Sequence, residues 1–293
     1  MIKFNRIIKY FPFYVLSLLP LPILYLFSNV LMFLLYYVFG YRKQVVRQNL
    51  QKSFPEKSLK EIIQIEKKFY LHLTDIIVET IKLLTISPRE LNKRCIYTQS
   101  FQKIFNQYYS ERKDVVVLMG HLGNWEWAGA CFNLNFPHPL YVLYHPLSNR
   151  YFDELMKIIR TRFGTCLIPM QTAFKHILKN TNQSAVFTFI ADQCPSPQNA
   201  FWMNFLNQDT PVYYGPEVIT KKLHCPVMLV SMKKIKRGYY EVDTLDIENV
   251  YTDEVNYPVM HSFMNYLERE IKEQPEIWLW SHRRWKHQRK NKI

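Results

Sequence analysis

Between Phe11 and Gly40 the chain carries no charged residue: FPFYVLSLLPLPILYLFSNVLMFLLYYVFG. Pro20 and Pro22 interrupt this run, because proline lacks a backbone donor and clashes with the preceding turn. The uninterrupted remainder, Ile23 to Gly40, has 18 residues. As a helix it would be about 27 Å long, close to a hydrocarbon core of about 30 Å. Both flanks are basic, with Lys3, Arg6 and Lys9 before it and Arg42, Lys43 and Arg47 after it. Charge therefore sets no orientation, and a kinked hairpin dipping into one leaflet would leave both flanks on the cytoplasmic side. A cleaved signal peptide is disfavoured, since the run is too long and no small-residue cleavage site follows. The pattern predicts a retained membrane anchor over residues 1–43.

Beyond the anchor the apolar period becomes helical over about 44–110. Ile62, Ile65, Phe69, Leu73, Ile76 and Ile77 recur at helical spacing between two capping signals, Ser58 with Glu61 and Ser87-Pro88-Arg89-Glu90. Then short apolar runs alternate with helical patterns. Strands are expected at 115–119, 141–144, 166–168, 185–191, 226–233 and 238–244. Helices are expected from near Asn124, at 153–162, 172–178, 215–223 and 257–272. Such alternation predicts an α/β fold, a central mixed sheet flanked by helices, over 44–281. The last stretch, 282–293, holds six Lys or Arg and no acid, and predicts an exposed basic tail.

Composition narrows the function. Of 293 residues, 48% are apolar and 16% aromatic, which excludes a disordered chain. The formal charge of +14 suits either nucleic acid or an anionic membrane surface, and the apolar segment selects the membrane. A membrane-bound basic scaffold or nucleic-acid binder would account for the charge. It would not need the turn described next, and no helix-turn-helix, RNP or zinc module is evident. The five cysteines are far apart, without a CxxC pair, so neither a disulfide framework nor a zinc ribbon is expected.

The segment Gly120-His121-Leu122-Gly123-Asn124-Trp125-Glu126 follows a buried strand and opens a helix. A histidine at a strand end stands where α/β folds handle ligands. If Glu126 folds back across the turn, its carboxylate can fix the imidazole tautomer and leave the other nitrogen to take a proton from a hydroxyl. The competing reading is a core histidine beside a glutamate that complements the helix dipole. Asp192 and Gln193 end another strand and can contact a sugar or simply form a turn. Trp278, Trp280 and Trp285 suit a headgroup interface, and for the first two ordinary packing is an equally good reading. His282 and His287 lack the spacing of a metal site.

This strand–GHLGNWE–helix segment resembles the HxxxxD/E signature of the lysophospholipid acyltransferase superfamily. More narrowly, the chain resembles the lipid A biosynthesis acyltransferases along nearly its whole length. The matching blocks are Arg47-Gln48-Asn49-Leu50, Tyr144-His145-Pro146-Leu147-Ser148-Asn149 with Asp153, Arg160-Thr161-Arg162-Phe163-Gly164, Ala191-Asp192-Gln193, and Trp278 to Lys286. The resemblance implies a glycerolipid acyltransferase-like fold. It also implies a bacterial inner-membrane enzyme that faces the cytoplasm and moves an acyl chain from acyl-carrier protein, or acyl-CoA, to a lipid A precursor, an anionic glycolipid. His121 would be the base and Glu126 its partner. Arg160 would stabilise the thioester oxyanion or hold an acceptor phosphate. Arg162 and Asn124 are further oxyanion or substrate-binding candidates, and Asp192 and Gln193 candidate acceptor contacts. An apolar groove for the acyl chain is expected beside the anchor, and no metal or organic cofactor is implied. A lysophospholipid, aminolipid or other glycolipid is the alternative acceptor. Two departures stand out: His145 replaces the family's usual Arg or Lys, and CPSPQNAFWMNFL after Gln193 is only loosely similar.

Overall fold

The computed structural model describes residues 2–247 and 256–289. Three short helices come first: α1 (Ile2–Lys9), α2 (Phe11–Leu18) and α3 (Leu21–Phe33), the last running on through a π-helical turn at Leu34–Val38. Next are α4 (Lys43–Ser53), the long α5 (Leu59–Lys82), α6 (Pro88–Arg94), β1 (Cys95–Tyr97), α7 (Gln99–Ser110), β2 (Val115–Met119), α8 (Trp125–Asn135), β3 (Leu140–Tyr144) and α9 (Arg150–Thr161). The remainder is β4 (Cys166–Pro169), α10 (Ala173–Lys179), β5 (Val186–Ile190), β6 (Ala200–Phe205), β7 (Gln208–Tyr213), α11 (Gly215–Leu223), β8 (Val227–Lys236), β9 (Tyr239–Asp246) and α12 (Pro258–Glu273).

Seven strands form one sheet in the order β1-β9-β8-β2-β5-β3-β4. All neighbours are parallel except β8 and β9. β2 is buried at every position, and its alternate side chains serve opposite faces. Val116 and Leu118 join the core formed with α5 and α12. Val115, Val117 and Met119 join the core with α7, α8 and α9. The expected mixed α/β sheet is therefore present. Two elements depart from the expected order: the edge strand β1, within the stretch expected to be helical, and the antiparallel pair β6–β7.

The proline break is real, and it separates α2 from α3. Pro22 sits in the first turn of α3, where its missing N–H costs nothing, so this helix begins at Leu21. Lys82 Nζ donates to the Ser17 and Leu19 carbonyls at 2.8 and 2.9 Å, closing the break. Leu21–Val38 is long and apolar enough to cross a membrane. It does not stand alone, however, but runs antiparallel against α5. Tyr25 donates to Glu79 at 2.7 Å, Ser28 to Asp75 at 2.7 Å, and the rings of Tyr36 and Tyr70 lie 5.2 Å apart. Arg237 secures the same seam, pairing with Asp75 and donating to Asn29. The opposite face of α3, with Leu26, Phe27, Val30 and Phe33, is exposed.

The C-terminal stretch is exposed at Arg283, Lys286, Gln288 and Arg289 but departs from the expected exposed tail at Arg284 and Trp285. Arg284 is fully buried, donating to the Pro211 carbonyl at 2.7 Å, and Trp285 donates to Thr210 at 2.7 Å. Burial lowers the Arg284 pKa to about 10. Lys290 and Lys292 of the same stretch lie outside the described residues.

Candidate active site

His121 and Asp192 meet because their strands are neighbours. β2 pairs with β5 in a register that sets Met119 against Ile190. Each of the two residues follows its strand end by the same step, at the carboxyl edge where parallel sheets place ligand-handling groups. His121 Nδ1 lies 2.6 Å from Asp192 Oδ1, and the His121 backbone N–H donates to Oδ2 at 2.8 Å. Trp278 Nε1 donates to that same Oδ2 at 2.8 Å. Burial pushes the Asp192 pKa up, but the imidazole and these donors prevail and hold it at about 2. An ionised carboxylate only accepts, so a neutral His121 carries its proton on Nδ1 and its lone pair on Nε2. The Trp125 ring, edge-on at 4.9 Å, fixes the imidazole plane.

Two glycines make the turn possible. A Cβ on Gly120 would come within 2.6 Å of Leu267 and 3.3 Å of Asp192 Oδ2. Gly123 has φ +57°, and a side chain there would collide with Met232.

The expected contact between Glu126 and His121 is not among the hydrogen bonds of the described residues. Glu126 stands in the first turn of α8 and closes on Arg160, in the last turn of α9. Arg160 Nε donates at 2.9 Å and Nη2 at 2.6 Å, a forked charge-assisted pair. Burial alone would lower the Arg160 pKa, but the Glu126 carboxylate raises it. The Nη1 group has no hydrogen-bond partner among the described residues.

The other expected residues separate into two groups. Gln193 is exposed at the cleft, its Nε2 3.4 Å from His121 Nε2. Asn124 is fully buried and serves the fold. Its Oδ1 caps α8 through the Trp127 N–H at 2.9 Å, and its Nδ2 donates to Glu79 at 2.7 Å. It is thus not available to a substrate. Arg162 points away as well, donating to the Leu83 carbonyl at the end of α5 at 2.6 Å. Asp192, expected as an acceptor contact, is the buried orienter of His121.

The remaining blocks build the walls. Asn149 caps α9, and Asp153 accepts from the Leu147 N–H at 2.8 Å, which shapes the loop carrying exposed His145. Asn49 donates to the Trp280 and His282 carbonyls, so the block after the apolar segment clasps the C-terminal one. Trp278 and Trp280 are buried, and the Trp278 indole N–H reaches Asp192. His282 Nε2 accepts from the Cys194 N–H at 3.0 Å, and burial lowers its pKa to about 4.

His121, Glu126, Arg160, His145 and Gln193 line a cleft of about 620 Å³. A smaller cavity of about 60 Å³ lies behind it, almost wholly apolar and walled by α7, α8 and the sheet. The apolar recess that opens on this cleft lies beneath α8, a different place from the groove expected beside the anchor.

The arrangement offers an oriented base, a cation and an apolar recess around one cleft. No individual curated protein matches the chain. Residues 7–287 match the family model of the bacterial lipid A biosynthesis acyltransferases, and the chain belongs to that family.

Proposed function

We propose that this protein transfers a fatty acyl chain from a carrier-protein or coenzyme A thioester to a hydroxyl of a lipid A precursor, in one direct step. The observation that carries this reading is the His121–Asp192 pair at a cleft that also holds Arg160, where the side-chain amide of Gln193 lies 3.4 Å from His121 Nε2. His121 Nε2 takes the proton of the acceptor hydroxyl as its oxygen attacks the thioester carbonyl. The resulting oxyanion is stabilised by the Arg160 guanidinium, which Glu126 holds in place. Collapse breaks the C–S bond, and the imidazolium returns its proton to the leaving thiolate. No serine or cysteine is hydrogen-bonded to His121 among the described residues, so nothing favours an acyl-enzyme.

The same reading places the enzyme on the inner membrane, facing the cytoplasm, with α3 in the plane of one leaflet. A spanning α3 would draw α5, with Glu66, Asp75 and Glu79, into hydrocarbon, and ionisable groups there are costly. The exposed apolar band reaches the cleft mouth: Phe13 of α2 packs edge-on against Phe152 of α9 at 6.2 Å, and Leu147 is both exposed and part of the cleft wall. An anionic glycolipid lying in the leaflet would meet the cleft there, and the formal charge of +14 over the whole chain suits both it and an acidic carrier protein.

The test is acyl transfer by detergent-purified protein. Carrier protein loaded with several chain lengths is offered with incompletely acylated lipid A precursors and, separately, lysophospholipids. Mass gain of one acyl chain on the precursor, lost in His121→Ala, is the expected result. Transfer to lysophospholipid alone would discard the lipid A acceptor, and no transfer at all would discard the mechanism.

A further inference from the structure

We propose that Gly129 sets the length of the acyl chain that the enzyme accepts, by keeping the passage open between the catalytic cleft and the apolar cavity under α8. This rests on the acyl-transfer reading above. The two spaces share Trp125, Gly129, Val142 and Ile190 in their walls, so they meet at this point. Phe101 and Phe132 close the far side of the inner cavity.

Gly129 stands in the middle of α8, where glycine is a poor helix former. Neither usual reason for a glycine applies. Its φ lies outside the left-handed region, and an added Cβ would meet no heavy atom within 4 Å. The fold thus does not need a glycine here, and the position borders open space at the junction of the two spaces.

A thioester with its carbonyl between His121 and Arg160 can lay its chain into the recess beneath α8. Entering the recess removes methylenes from water, which favours binding with each carbon buried. The inner space of about 60 Å³ takes only the end of a chain, the cleft holding the rest. Bulk at position 129 would narrow the junction and stop the chain short.

The experiment measures kcat/KM for wild type, Gly129→Ala and Gly129→Leu with carrier-protein thioesters of graded chain length, alongside the melting temperature of each variant. Excluding one methylene from a fitted pocket is worth roughly 10–200-fold. Gly129→Leu is therefore expected to shift the optimum to shorter chains and to lower the long-to-short ratio at least about tenfold. Gly129→Ala, whose Cβ has room in the folded helix, should shift the ratio in the same direction by less. An unchanged chain-length profile in both variants of an active enzyme overturns this inference alone. A wild type that transfers no chain to any acceptor overturns it together with the reading it rests on.

Discussion

Asp192 Oδ2 receives two N–H donors, the His121 backbone and the Trp278 indole, while Oδ1 faces the His121 ring. The carboxylate is thus locked in orientation as well as buried. Its two oxygens have unequal duties, and this has a consequence for any amide put in its place.

Asp192→Asn should disable the base through the tautomer. The amide oxygen will take the position with two donors, which leaves the amide NH2 facing Nδ1. Imidazole must then accept at Nδ1 and carry its proton on Nε2, where a lone pair is required. Activity is expected to fall on the order of 10⁴-fold, as when other histidine-orienting carboxylates become amides. Acyl transfer against pH, with membrane association checked in parallel, tests this. A loss below tenfold would remove Asp192 from the mechanism.

Glu126→Gln should behave differently, because Glu126 acts through Arg160. Losing the forked ion pair frees the guanidinium to move, so kcat should drop by roughly 10²-fold, about the value of one oxyanion donor. The pH optimum should stay where it is. Arg160→Lys should not restore activity, since lysine keeps the charge but not the planar fork. If Glu126→Gln instead shifted the pH profile as Asp192→Asn does, Glu126 and not Asp192 would be the partner of His121.

The fold class, the turn that carries His121 and most of the element order are legible in the chain, because strand and helix periods differ and glycines punctuate the turn. Which carboxylate meets His121 is not. The spacing from His121 to Glu126 is visible along the sequence, whereas the approach of Asp192, 71 residues away, depends on β5 lying next to β2. The pair β6–β7 is hidden for a local reason. Its two-residue turn is Leu206-Asn207, both at positive φ, where Asn-Gly would have signalled a hairpin. Leu206 adopts that conformation with its side chain fully buried. The role of Asn124 is likewise hidden, since its partner Glu79 belongs to a distant helix.

Glu79 makes stability depend on pH. It is fully buried, accepting from Tyr25, Asn124 and Tyr240, with Asp75 and Lys234 also acting on it. Burial, then the Asp75 charge, raises its pKa from 4.5 to about 7. The folded state therefore binds this proton more tightly than the unfolded one. The resulting stability is complete below about pH 4.5 and is lost as the pH rises through about 7. The melting temperature in detergent should fall by a few degrees from pH 5 to pH 8. Glu79→Gln should melt lower throughout, having lost an acceptor, but with a flatter slope. An equal slope in the variant would assign the pH dependence to another group.

The seam between α3 and α5 also predicts topology. A helix crossing the bilayer would put the N-terminus on the opposite side from the catalytic domain. An α3 held along α5 by Tyr25–Glu79 and Ser28–Asp75 keeps both on one side. Reporter fusions active only in the cytoplasm should therefore work at both termini, while those active only in the periplasm should fail at both. Acidic substitution of the exposed face, Phe27→Glu with Phe33→Glu, should release the protein from membranes without melting it, because those side chains meet no core. Ser28→Ala should loosen the seam and lower the melting temperature, at about 1 kcal/mol for a buried hydrogen bond. A periplasmic reporter active at the N-terminus, with a cytoplasmic one active at the C-terminus, would mean that α3 leaves α5 and spans.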